Sequence, residues 1–336
     1  MNPRYRRLLI PGLLVLLLVV VVVASLVQDA QASAAAREPQ QVAVVDDPRI
    51  SESSGLAVSR QHPDLAYTVN DSGHDAAVFA VRVSTGEVVG VTRLRGGTTD
   101  VEALALDDDG RLWVADTGDN RGRRDEIALH VLEEPGEGDH RVRPTTYRVD
   151  YGDRSPDVEA VVVRDGTVSL LEKALAGGSR FELAVDDLVT GRLNRAREVA
   201  SDVSGMVTDA TVVPGSDRVV LRTYLSLVVL DARWQPVTAL EAPVTQQGET
   251  VAAEPSGRSV LVGSEGTSQP LWRVDLPASG SAEPADAVAA PGSEVVSEPA
   301  VAYSADGRDP VLVAVVVGGL LVALTLLVVE LRRRRA

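Results

Sequence analysis

The 336-residue chain contains no cysteine. That removes disulfides, thiolate metal sites and thiol catalysis together, so an exported domain built from it has to hold by core burial alone. Histidine is scarce as well: His62, His74, His130 and His140 have spacings that match no zinc pattern. Positive charge is in deficit, with 33 Lys and Arg against 48 Asp and Glu and a formal net charge of −15. Such a surface repels phosphate backbones, which excludes a nucleic-acid partner, and it favours cations or a basic partner. P-loop, G-x-G-x-x-G and G-x-S-x-G signatures are missing. Amphipathic helical periodicity is missing between Gln41 and Leu276, so the body of the chain reads as all-β.

The two ends are different. Arg4, Arg6 and Arg7 precede an apolar run over Leu8–Val27, and small residues follow in Ala30-Gln31-Ala32 and Ala32-Ser33-Ala34. This is the order of a secretory signal peptide, with an uncleaved N-terminal anchor as the alternative for residues 1–34. Val311–Val329 carries no charge and is long enough for a transmembrane helix, expected over 311–331. Arg332–Arg335 in the tail, 332–336, hold that end on the cytoplasmic side. Residues 277–310 are rich in Ala, Pro, Ser and acids, a linker composition. The expected protein is single-pass in the cell membrane after signal cleavage, with a folded part at 40–276 outside and the membrane engaged through the C-terminal helix. Setting aside the N-terminal arginines and the net +3 of the tail, the outer part carries about −21.

The folded part is a repeat. "ESSGLAVS" from Glu52, "DVEALALD" from Asp100, "DVEAVVVR" from Asp157, "VTDATVVP" from Val207 and "QGETVAAE" from Gln247 align, with Ser54, Glu102, Glu159, Asp209 and Glu249 at the third position. A turn follows each, such as Asp109-Gly110 or Asp165-Gly166, then a second apolar run ending in polar residues. Units of roughly 40 to 57 residues with about four strands each describe the blades of a β-propeller. Five blades are expected, with six as the alternative. The fifth is one strand short, and Gln40–Asp47 is placed to supply that strand and close the ring.

"ESSGLAVS", "NDSG", "DVEALA", "DTGDN", "DVEA", "TDA", "LRTY", "QGE" and "SEG" resemble a family of bacterial exported propellers similar to the SdiA-regulated-like proteins and, more distantly, to the esterase-like phytase propellers. The resemblance spans about Gln41 to Leu276. It implies a propeller with a cation such as calcium in its channel, and it transfers no catalytic residue.

Two polar sets converge in such a fold. The first strands of the blades line the channel, which brings Glu52, Asp100, Glu102, Asp157, Glu159, Asp209 and Glu249 around one axis. Crowded carboxylates need compensation. A divalent cation with oxygen ligands, calcium first, is one solution, and backbone N–H groups of neighbouring blades are the other. The second set, at the ends of the second strands and the loop beyond, is Asn70, Asp71, Asp116, Asp119, Asn120, Lys173, Arg222, Tyr224 and Glu265. Its mixed charge suits a polar ligand, while ion pairing with the first set is the bland reading.

The triplets Asp71-Ser72-Gly73 and Asp116-Thr117-Gly118 look like aspartic-protease loops, but they stand about one blade apart, not one lobe apart. Three functions stay open: a tethered binding module for a ligand or protein partner, a metal-dependent hydrolase acting on phosphoesters or other esters, and a passive surface scaffold.

Overall fold

The computed structural model describes residues 38–71 and 73–278. The expected signal peptide or anchor, the transmembrane helix, the basic tail and all but the first two linker residues lie outside the described residues. Among the described residues no helix is long and apolar enough to cross a membrane.

The strands run in chain order around a ring. First comes β1 (Gln40–Val45). Blade one holds β2 (Ser53–Val58), β3 (Leu65–Asn70), β4 (Ala77–Arg82) and β5 (Val88–Leu94). From the second repeat come β6 (Val101–Leu106), β7 (Arg111–Asp116), β8 (Ile127–Glu133), β9 (Gly138–Val142) and β10 (Thr145–Asp150). The third gives β11 (Val158–Arg164), β12 (Thr167–Glu172), β13 (Gly178–Ala184), β14 (Leu193–Arg195) and β15 (Arg197–Val203). Blade four is β16 (Val207–Val212), β17 (Val219–Thr223), β18 (Ser226–Leu230) and β19 (Pro236–Glu241). Blade five is β20 (Gly248–Ala253), β21 (Ser259–Ser264) and β22 (Gln269–Asp275).

These strands form five sheets, so the described residues make a five-bladed propeller. The N-terminal strand closes it: β1 pairs antiparallel with β22 as the outer strand of blade five. The inner strands β2, β6, β11, β16 and β20 each pack against the next, and β20 returns to β2. The core lies between blades. Tyr67 and Leu104 pack in one such layer, and Trp113, Leu170 and Phe181 in another. Each sheet is therefore covered on both faces, which is why β3 and β20 are buried along their whole length, with Thr68, Asn70, Glu249 and Thr250 included. Burial of each large side chain contributes about 2 kcal/mol.

Three sheets have the expected four strands, and two have five. The extra strands come from neighbours: β9 of the second repeat adds parallel to β5, and β14 of the third adds parallel to β10. Both follow turn-rich segments that cross to the adjacent blade and cover its open edge.

The hairpins follow from local chemistry. The β11–β12 turn is Asp165-Gly166, with φ of 51° and 69°, the paired left-handed conformation of a tight hairpin. At the opposite end every inner strand carries a bulge, with the unpaired residue at Ser54, Glu102, Glu159, Thr208 and Glu249. The fourth repeat is thus one residue out of the sequence alignment: Thr208, not Asp209, occupies the shared position.

Candidate functional site

The bulges lie where the inner strands begin, at one mouth of the channel. A polar cavity of about 190 Å³ opens there. It gathers Glu52, Glu102, Glu159 and Glu249 from the expected metal set, and Asp71, Asn120, Lys173, Tyr224 and Glu265 from the expected ligand set. Ser53, Ser54 and Gln247 complete the wall.

The second strands explain which members of the ligand set face the cavity. Asn70, Asp116, Thr223 and Ser264 end these strands, in register with the first residue of the inner strand. Three of these side chains cap the backbone of their own blade. Asn70 accepts Glu52 N–H at 3.2 Å and donates to the Arg49 carbonyl at 2.6 Å. Asp116 accepts Thr99 and Asp100 N–H, both at 2.9 Å. Ser264 accepts Gln247 N–H at 3.1 Å. One position further on, Asp71, Lys173 and Glu265 donate their own N–H to the residue that opens the repeat, and their side chains reach the cavity. Strand alternation puts the cap on one side and the cavity-facing group on the other.

On the side of blades one and two, ligand oxygens of Asp71, Asp100 and Glu102 lie within 4.8 Å of one another. Asp100 shares a hydrogen bond with Asp71, and its Oδ1 is buried with no hydrogen-bond partner. Ser54 donates to Glu102 at 2.8 Å. Burial raises the Asp100 pKa to about 7, helped by the Asp71 carboxylate and opposed by Arg124. Burial also raises Glu102, to about 10, with Glu159 and Asp71 adding repulsion.

The loop after β7 builds this corner. Gly118 N–H donates to the Asp100 carbonyl at 3.1 Å, and Thr117 donates to the Val158 carbonyl of blade three at 2.8 Å. A Cβ at Gly118 would overlap the Glu102 and Asp100 carboxylates. Asp119 accepts Arg123 and Arg124 N–H at 2.9 and 2.7 Å and donates its N–H to Asp157 at 2.8 Å. Arg124 pairs with Asp116 at 2.9 Å. Burial works to raise the Asp116 pKa, but His130, Arg124 and the two N–H donors hold it below the usual range. Asp116, Asp119 and Asp157 thus shape the loop, and Asn120 is its cavity-facing member. Sequence reasoning missed Gly118 and Arg124. The run "DTGDNRGRR" is their only sequence signal.

On the side of blades three to five, Lys173 pairs with Glu159 at 2.5 Å. Burial raises Glu159 to about 8 against the pull of Lys173. Burial opposes the charged Lys173, yet Glu159 holds its pKa above the usual value. Glu249 accepts from Gln247 at 2.6 Å, and burial raises it to about 7. Tyr224 and Glu265 are raised as well, burial first. Glu52 sits at the rim beside His74, at 3.2 Å.

Two expected residues stand beneath the cavity. Asp209 is fully buried and accepts Ala210 and Val251 N–H, both at 2.8 Å. Burial raises its pKa, opposed by those bonds and by Leu56 N–H from across the ring. Backbone N–H groups of its own and other blades thus meet its carboxylate. Arg222 is also fully buried, against Gly248, and its guanidinium nitrogens have no hydrogen-bond partner. Burial lowers its pKa to about 10, with Glu249 and Asp209 pulling the other way.

Fold and site together define a five-bladed propeller with an acid-lined mouth. No family model matches the chain, and no curated protein matches it. Among solved structures it is similar to a gluconolactonase from Xanthomonas campestris, at 14% identity over 67% of this chain and 72% of that one, with a TM-score of 0.43. It is also similar to the Kuenenia stuttgartiensis hydrazine synthase, at 15% identity over 66% of this chain and 57% of that one, with a TM-score of 0.35. Likenesses of this size say nothing about what this chain binds. The propeller implied by the sequence resemblance is present; the particular family is shown by no match.

Proposed function

We propose that the mouth binds a divalent cation, calcium by its all-oxygen donors, and presents it to a small polar ligand. The supporting observation is the convergence of Asp71, Asp100 and Glu102, whose oxygens lie within 4.8 Å while Asp100 keeps a buried oxygen unpartnered. Like charges held this close in a partly desolvated corner retain protons until a cation replaces them. Lys173, Tyr224, Asn120 and Gln247 line the rest of the cavity and supply donors for the ligand. Titration calorimetry with calcium and magnesium tests the cation. Saturable calcium binding that is lost in Asp100→Asn with Glu102→Gln is expected; binding that survives both changes removes the site.

A metal-dependent hydrolase on the same cavity is the second reading. It is favoured by Glu159 and Glu249, whose carboxyls burial pushes up to about 8 and about 7, into the range where a carboxyl group acts as general acid or base. A screen of phosphoesters, lactones and carboxyl esters with added divalent ions tests it, and activity retained in Glu102→Gln with Glu159→Gln would dismiss these residues.

In this reading the propeller is held outside the cell membrane by the C-terminal segment. The apolar run before Arg332 supports this, and protease accessibility on intact cells measures it.

A further inference from the structure

Three large apolar side chains are almost wholly exposed: Leu175 at 86%, Leu225 at 85% and Val244 at 99%. The other exposed large apolar residues among the described ones, Val44, Val189, Leu193 and Val199, are at 48% or less and lie in or beside outer strands. Each is close in sequence to a residue of the mouth wall. Leu175 follows Lys173 by two residues in the β12–β13 turn, Leu225 follows Tyr224 directly, and Val244 precedes Gln247 in the loop to β20. Lys173, Tyr224 and Gln247 all line the mouth cavity. The apolar residues therefore stand around the mouth on the side of blades three, four and five. The corresponding turns of blades one and two carry Asp71, His74 and Asp75, and Asp119 to Arg124. Single exposed apolar residues are ordinary, but three on loops that border one cavity offer apolar surface to a partner.

Inside that rim the charge is negative. Lys173 pairs with Glu159 at 2.5 Å and draws on Glu249 and Glu265 from further away, and neither of these two carboxyls makes an ion pair of its own among the described residues. The two carboxyls repel each other. We propose that this half of the mouth docks a protein segment that places a lysine or arginine side chain between Glu249 and Glu265, with flanking apolar residues covering Leu175, Leu225 and Val244. A cationic centre in an apolar collar is the usual form of a small hot spot, with the charge shielded from water by its neighbours. A lipid surface fits less well. The net charge of −15 repels anionic headgroups. The described chain also enters and leaves on the opposite face, where Gln40 pairs with Arg273, Asp275 pairs with Ser259, and Arg218 donates to the Pro277 carbonyl at 2.7 Å.

The docking half shares its cavity with Asp71 and Glu102, but Asp100 is not part of the cavity wall, so a change at Asp100 distinguishes the cation from the docked segment. The test is fluorescence anisotropy on the full-length chain with labelled pentapeptides of sequence Leu-Gly-Arg-Gly-Leu. Comparison peptides carry citrulline for arginine or serine for both leucines. Saturable binding of the parent peptide is expected, weakened at least about tenfold by either replacement. It should be weakened equally by Glu249→Gln with Glu265→Gln, and by Leu225→Ser with Val244→Ser, which alter only exposed positions. Asp100→Asn should leave it unchanged while removing calcium binding. Citrulline peptide binding as tightly as the parent, no binding at millimolar peptide, or capture of phosphatidylcholine vesicles that Leu225→Ser abolishes would each overturn the proposal.

Discussion

Asp209 and Glu102 stood at the same repeat position in the sequence, and their fates differ because of one bulge. Glu102 is the unpaired bulge residue and faces the cavity. Asp209 is one step further, in register with Arg222, and its carboxylate turns into the channel to collect backbone N–H groups. Asp209→Ala should cost about 3 kcal/mol by denaturant unfolding, because buried donors lose their acceptor, while calcium binding is kept. Glu102→Gln should do the reverse, with little loss of stability and a calcium affinity at least about tenfold lower. Gly118→Ala belongs with Glu102, since its Cβ meets the same carboxylate; weakened calcium binding by calorimetry is the expected outcome. The acidic character of these positions was legible in the sequence. The offset in blade four was not, because a bulge is set by the pairing partner, and nothing in "VTDATVVP" marks which residue goes unpaired.

Among the elements, β1 has the clearest energetic role. It is the outer strand of blade five and pairs with β22 from Gln40↔Arg273 to Val45↔Gln269. Without it β22 becomes a free edge and the ring loses its closure between blades five and one, where Leu56, Ala66, Leu261 and Leu271 pack. Deleting residues 40–45 should lower the thermal midpoint by roughly 10 °C by calorimetry. The missing strand in the fifth repeat predicted this pairing. The two parallel additions, β9 and β14, were not readable. A short exposed segment such as "GDHRV" carries no alternation to distinguish a strand from a loop, and only the neighbour's open edge recruits it.

For the whole molecule the acidic mouth couples charge to stability. Asp100 and Glu249 at about 7 and Glu159 at about 8 lie above the unfolded carboxyl value of about 4. Between those limits the folded state holds protons that the unfolded state has released, so these groups favour folding at low pH and that contribution is lost as pH rises through about 7 to 8. The thermal midpoint without added ions should therefore fall from pH 6 to pH 9. Calcium at 100 times its Kd should restore about 2.7 kcal/mol at the upper pH, and its affinity should rise over the same interval as protons leave.

The sequence by itself determined the repeat, the closing strand, the net charge and the acids that the repeat carries, because each follows from local pattern and composition. Which acids would share a cavity was decided only in the tertiary structure. That choice depended on bulges, on strand alternation at the mouth, and on a loop whose Gly118 admits carboxylates from the neighbouring inner strand. Those are contacts between residues far apart in the chain, and no short stretch contains them.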